Sequence, residues 1–150
     1  MLQTLAQRYP TKLTRAQLGT LAGFTPSGGT FGTYFGTLKR SGLIIATAQG
    51  DIEITHAGLA YLGSDVPPQP QTTAELLAMW QRALRSGEWR MLEALVDVHP
   101  KALAREELGA RTGYTATGGT FSTYLGTLRR NGLIEVTGDQ VRASRTLFLA

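Results

Sequence analysis

The segment GGTFGTYFGTLKRSGLI at residues 28–44 returns ninety residues later as GGTFSTYLGTLRRNGLI at 118–134. Upstream, LTRAQLGTLAGFT (13–25) matches LAREELGARTGYT (103–115), Met1-Leu2 matches Met91-Leu92, and Pro10 matches Pro100. Residues 1–47 share 24 identities with 91–137. Agreement at one fixed offset over that length reads as an internal duplication. Whatever fold one half adopts must therefore be adopted twice within 150 residues. The offset slips to 89 after Thr47, where the second copy is one residue shorter in a loop.

The repeat sets the expected domains. Residues 1–63 form the first copy. The stretch SDVPPQPQ (64–71) is rich in proline, has no periodicity and reads as a semi-rigid linker. Residues 72–150 form the second copy, preceded by an extra helix at 72–86. Thr72-Thr73-Ala74-Glu75 opens that helix as a capping box, and Leu76, Leu77, Trp80 and Leu84 share one face. The first copy has no counterpart, because Met1 aligns with Met91. Either the duplication added this helix, or the chain is cut from a longer protein.

Within one copy the pattern predicts three helices and a hairpin. Residues 1–9 are amphipathic through Leu2, Leu5 and Ala6, with Pro10 after the end. Thr14-Arg15-Ala16-Gln17 is a capping-box start, Leu18 and Leu21 turn inward, and Gly23 stops the helix. Thr25-Pro26 is expected to open the third helix, which runs to about Arg40, with Gly42 ending it. The second copy repeats Gly113, Thr115 and Gly132, but has Ala104 in place of the Thr14 cap, so its second helix is expected to begin less firmly. Residues 43–47 and 52–55 then alternate as strands around a Gln49-Gly50-Asp51 turn. Residues 134–137 and 141–143 do the same around Gly138-Asp139. The expected class is mainly α with small β-hairpins (α+β), in two tandem units.

Helix, helix, tight turn, helix and ribbon, with Leu-x-x-Leu-x-x-x-Gly-Leu-Ile-type spacing around the third helix, resembles the winged helix-turn-helix family across nearly all of both copies. The resemblance implies a third helix that lies in the major groove of DNA. GGTFGTYFGTLKRSGLI and the ending VRASRTLF also resemble the C-terminal tails of HerA-type bacterial and phage ATPases, which implies an associated ATPase as a partner; a second copy of the chain is a further candidate, because the repeated helix faces could meet each other. No ATPase motif occurs in the chain itself.

The chain has no cysteine, which removes disulfides and thiolate chemistry. No apolar run approaches a membrane span, and the N-terminus lacks the apolar core of a signal peptide. A cytoplasmic protein without membrane contact is expected. His56 and His99 lack neighbours at ligand spacing and are read as surface residues. GGTFGT lacks the lysine of a phosphate loop, and no Ser/His/Asp order stands out. No cofactor, metal or catalytic site is expected. The formal charge is +4 with a pI near 9.8. Residues 1–63 carry five Lys/Arg against two Asp/Glu, and 64–150 carry ten against nine.

On a wheel of the third helix, Phe31, Phe35 and Leu38 form the inward stripe with Tyr34 at its edge. Gly29, Thr33, Gly36, Thr37 and Arg40 form the opposite face. The candidate nucleic-acid contacts are Arg15, Thr30, Thr33, Thr37, Lys39 and Arg40, and in the second copy Arg105, Thr120, Thr123, Thr127, Arg129 and Arg130. Hydroxyls and cations suit phosphates, but few of these side chains read base edges in pairs, so duplex DNA with weak sequence preference is expected. The competing reading is a protein-interaction face, since Gly and Thr let another helix approach closely. Three mid-helix glycines (Gly29, Gly32, Gly36) ask for a steric reason. Acids in both hairpin turns count against DNA.

Overall fold

Local sequence signals explain where most helices begin and end. The computed structural model describes residues 1–25 and 28–149. It divides into two units, Met1–Gln71 and Thr72–Ala150. Among the described residues the fold is mixed α+β, with eight α-helices and two small antiparallel sheets.

In the first unit, α1 (Leu2–Gln7) buries Leu2, Leu5 and Ala6. The Thr14 side chain accepts from the Gln17 amide while Gln17 accepts from the Thr14 amide, so both ends of the expected capping box close on α2 (Arg15–Ala22). Gly23 ends that helix at φ +82°, a left-handed conformation that favours glycine. The third helix, α3 (Gly29–Arg40), starts later than expected. Gly28 is its cap, and the Gly28 amide donates to the Thr25 carbonyl. Thr25 is therefore not the helix cap, and the expectation for Pro26 falls outside the described residues. The hairpin follows as β1 (Ile44–Ala46) and β2 (Ile52–Ile54), paired Ile44 to Ile54. Leu13 adds a bridge to Ile52 through bonds of 3.1 and 2.7 Å.

Two features of this unit depart from the expectation. Beyond the hairpin lies a further helix, α4 (His56–Leu62), for which the sequence pattern of three helices and a hairpin makes no provision. Thr55 starts it, accepting from the Gly58 amide and donating to the Gly42 carbonyl at 2.7 Å. Residues 64–71, read above as a linker, lie back along α1. Gln3 donates to the Asp65 carbonyl, Gln7 to Pro68, and Gln69 to Ala6 and Tyr9. Asp65 thus counts with the first unit. Met1–Gln71 then holds five Lys/Arg against three Asp/Glu, and Thr72–Ala150 ten against eight, an excess of +2 in each.

The second unit opens with α5 (Thr73–Ala83), capped by Thr72 through the Glu75 amide. It is shorter than the expected 72–86, because the chain leaves helical conformation at Leu84. Helix α6 (Ser86–Val98) contains the segment matching α1 and runs six residues further upstream. Next come β3 (Leu103–Ala104), α7 (Arg105–Thr112), α8 (Gly119–Arg130), β4 (Ile134–Thr137) and β5 (Gln140–Ala143). As with α3, Gly118 caps α8 and its amide donates to the Thr115 carbonyl. The sheet order is β3-β5-β4, so β3 was missed by the sequence reading. Ala104 supplies no cap. Instead β3 pairs with β5, and the first α7 amide, from Arg105, donates to the Asp139 carbonyl at 3.1 Å.

Each unit closes around one aromatic ring. Phe31 and Phe121 are both fully buried, each contributing about 1.5–3 kcal/mol by its burial. The rest of the stripe differs. Leu125 and Leu128 are buried on α8, while their counterparts Phe35 and Leu38 on α3 are only half-buried.

Candidate nucleic-acid interface

The residues at i, i+3, i+7 and i+10 of α3 are Thr30, Thr33, Thr37 and Arg40. At about 100° per residue they fall on one ridge. All four are exposed, as are Gly29 and Gly32. Thr120, Thr123 and Arg130 are exposed on α8, and Thr127 is half-exposed. An added Cβ at Gly29, Gly32 or Gly119 would meet nothing. Packing within the units therefore gives no steric reason for these glycines.

Three threonines on these ridges, Thr33, Thr37 and Thr127, are not free donors. Thr33 Oγ1 donates to the Gly29 carbonyl at 2.9 Å, and Thr37 Oγ1 to the Thr33 carbonyl at 3.0 Å. Thr127 Oγ1 donates to Thr123 at 3.2 Å. Each such hydroxyl has given its proton to the preceding turn and offers only lone pairs outward. A neighbouring arginine uses them. Arg40 Nη2 donates to Thr37 Oγ1 at 3.5 Å, and Arg130 Nη2 to Thr127 Oγ1 at 3.4 Å.

The other candidate cations separate from the ridge. Arg15, the first residue of α2, lies with its guanidinium carbon 4.6 Å from the Phe31 ring centre and 5.2 Å from that of Phe35. It forms a cation–π contact over two stacked rings. Arg105 is half-buried at the start of α7. Lys39 and Arg129 are exposed but stand about 100° around the helix from Arg40 and Arg130. Among the described residues the ion pairs are Lys12 with Glu53, Arg111 with Glu107 and Arg142 with Glu135, so none of the α3 or α8 cations is neutralised by a carboxylate.

An aromatic pair borders the ridge in each unit. Phe24 and Tyr34 meet edge to face at 5.5 Å, as do Tyr114 and Tyr124. In the second unit the first turn of α6 covers the pair. Gly87 packs so closely that a Cβ there would overlap the Tyr124 ring and stand 2.6 Å from the Tyr114 hydroxyl. In the first unit the pair faces a groove of about 380 Å³, lined also by Met1, Leu38 and Tyr61. Tyr34 is 51% exposed and Tyr61 74%.

His99 also differs from its expected surface setting. Its ring stacks on Phe148 at 3.6 Å, and Nδ1 is buried without a partner. No group of three or more His, Asp or Glu among the described residues could hold a metal, and no helix there is long and apolar enough to cross a membrane. Comparison with protein-family models, with curated proteins and with solved structures returned no match.

Proposed function

We propose that the chain is a tandem winged-helix nucleic-acid-binding module that holds duplex DNA through α3 and α8 with low sequence specificity. The observation that carries the reading is the exposed Thr-Thr-Thr-Arg ridge, present on both helices and free of carboxylate partners. The order helix, short strand, helix, helix and β-ribbon supports it, as does an equal basic excess in each unit. Thr37 and Thr127 present lone pairs outward, so phosphate contact falls to the arginines rather than to these hydroxyls. A ridge with one guanidinium has little means of distinguishing base pairs, and backbone contact dominates.

The test is a fluorescence-anisotropy titration of the chain with a labelled random duplex. Binding should be salt-sensitive, with Kd in the range of about 10⁻⁴–10⁻⁶ M at physiological salt. No binding at low ionic strength rules out the module.

A second reading, a protein-interaction face serving an ATPase or a second copy, draws on the bare Gly29, Gly32 and Gly119 positions. Under it, Gly29→Leu with Gly119→Leu dissolves an oligomer or complex seen by light scattering, and DNA leaves that assembly unchanged.

A further inference from the structure

The arginine at the end of each ridge does not reach away from its helix. It folds back one turn. An added Cβ at Gly36 would lie 3.0 Å from Arg40 Nη1, and one at Gly126 would lie 3.2 Å from Arg130 Nη1. The guanidinium therefore occupies the space that a side chain four residues earlier would take. A helical side chain leans toward the N-terminus of its helix, so position i−4 lies beneath it. Thr37 and Thr127 hold the folded pose through the long bonds described above, and each threonine is itself fixed to the preceding turn. The same relay, carbonyl to threonine to arginine over a glycine, occurs in both units.

We infer that Gly36 and Gly126 are positioning residues, and that the places where Arg40 and Arg130 lie over them are two phosphodiester anchor points. The inference rests on the DNA-binding reading and deepens it. An arginine has five donors in a planar fork, which suits two oxygens of one phosphate. Here one donor is tied to threonine and no carboxylate pairs with the rest. The cation is held mid-ridge before any ligand arrives, so less side-chain freedom is lost on binding. A side chain at position 36 would push the guanidinium back toward the helix end, where Lys39 already stands.

The experiment measures duplex affinity and its salt dependence for the full chain, three principal variants and one milder one described last. The principal three are Arg40→Gln with Arg130→Gln, Gly36→Leu with Gly126→Leu, and all four changes together. Removing two phosphate contacts should weaken binding by about tenfold at low salt and reduce the slope of log K against log salt by roughly 1.8. The leucine pair should produce a similar loss in both quantities despite an unchanged net charge. The fourfold variant should bind no more weakly than the arginine pair, because both changes remove the same contact. Leucine that merely blocked the duplex would instead add its loss to that of the arginines, and additive losses overturn the proposal. So does wild-type affinity in the leucine pair. Gly36→Ala with Gly126→Ala, where the arginine must yield only a few tenths of an ångström, should fall between and covers the case in which leucine disturbs folding. If the unaltered chain binds no duplex, the DNA-binding reading fails first and takes the anchor points with it.

Discussion

Replacing Gly109 with alanine tests the closest backbone approach beneath α8. Gly109 is buried in α7, and an added Cβ would stand 2.5 Å from the Tyr114 carbonyl oxygen and 3.3 Å from the Ala116 amide nitrogen. Both obstacles are backbone atoms of the turn that leads into α8, so neither can rotate away. Alanine is the better helix former by about 1 kcal/mol. Forcing the extra methyl into a packed turn costs about 1–3 kcal/mol, with the upper half of that range suited to a rigid obstacle. The net expectation is a loss of about 1–2 kcal/mol, or a midpoint lowered by roughly 5–15 °C for a unit of this size. Both tryptophans, Trp80 and Trp89, lie in the second unit, so their fluorescence during thermal or urea unfolding reports on that unit directly. Gly119→Ala is the control, since its Cβ meets nothing and the change should leave the midpoint equal or slightly higher. A Gly109→Ala midpoint at or above wild type would refute the close approach.

Other outcomes follow from the same geometry. Gly32→Ala should raise the first unit's stability by about 0.5–1 kcal/mol in denaturant unfolding followed by circular dichroism, since Cβ meets open space and Ser122 stands at the matching position. Ala104→Thr should place a cap opposite Glu107 and stabilise the second unit by about 0.5–1 kcal/mol, while Thr14→Ala should cost the first unit about as much. Phe121→Ala should cost about 3–5 kcal/mol, read from the tryptophan-monitored transition. On brief nitration with tetranitromethane, mass spectrometry should find Tyr61 and Tyr34 modified before Tyr124.

The parts of this fold legible in the sequence were those with local causes. Thr14 and Gln17 cap the start of α2 within four residues, and Gly23 stops it by its own conformational freedom. The α3 ridge follows from helical periodicity alone. What escaped depended on partners far along the chain. Strand β3 is two residues long and exists because Val141 and Gln140 lie beside it, a pairing with no periodicity of its own. Helix α4 is only seven residues long and has an interior glycine, yet Gly58 is needed where the helix passes the Leu43 carbonyl. The proline-rich 64–71 looked like a spacer, but glutamine amides tie it to α1 sixty residues away, Gln3 and Gln7 donating to its carbonyls and Gln69 to that of Ala6. The start of α3 was misplaced because Thr25 and a following proline imitate a cap, whereas Gly28 takes that role. On the ridge, side-chain types and spacing were readable. The folded arginine was not, because it depends on the absence of an atom four residues earlier.

The two edge-to-face aromatic pairs end in different circumstances because of one helical turn. Where α6 extends upstream, Gly87 seats against Tyr114 and Tyr124 and partly seals them, leaving both half-buried; among the described residues no such turn is seated beside Phe24 and Tyr34. The seal tolerates no side chain, since even a methyl at 87 would collide with both rings. Any mutation of Gly87 should therefore lift the turn and expose in the second half the kind of aromatic surface the first half already displays. The difference between a closed flank and an open one is thus only as thick as a single hydrogen atom.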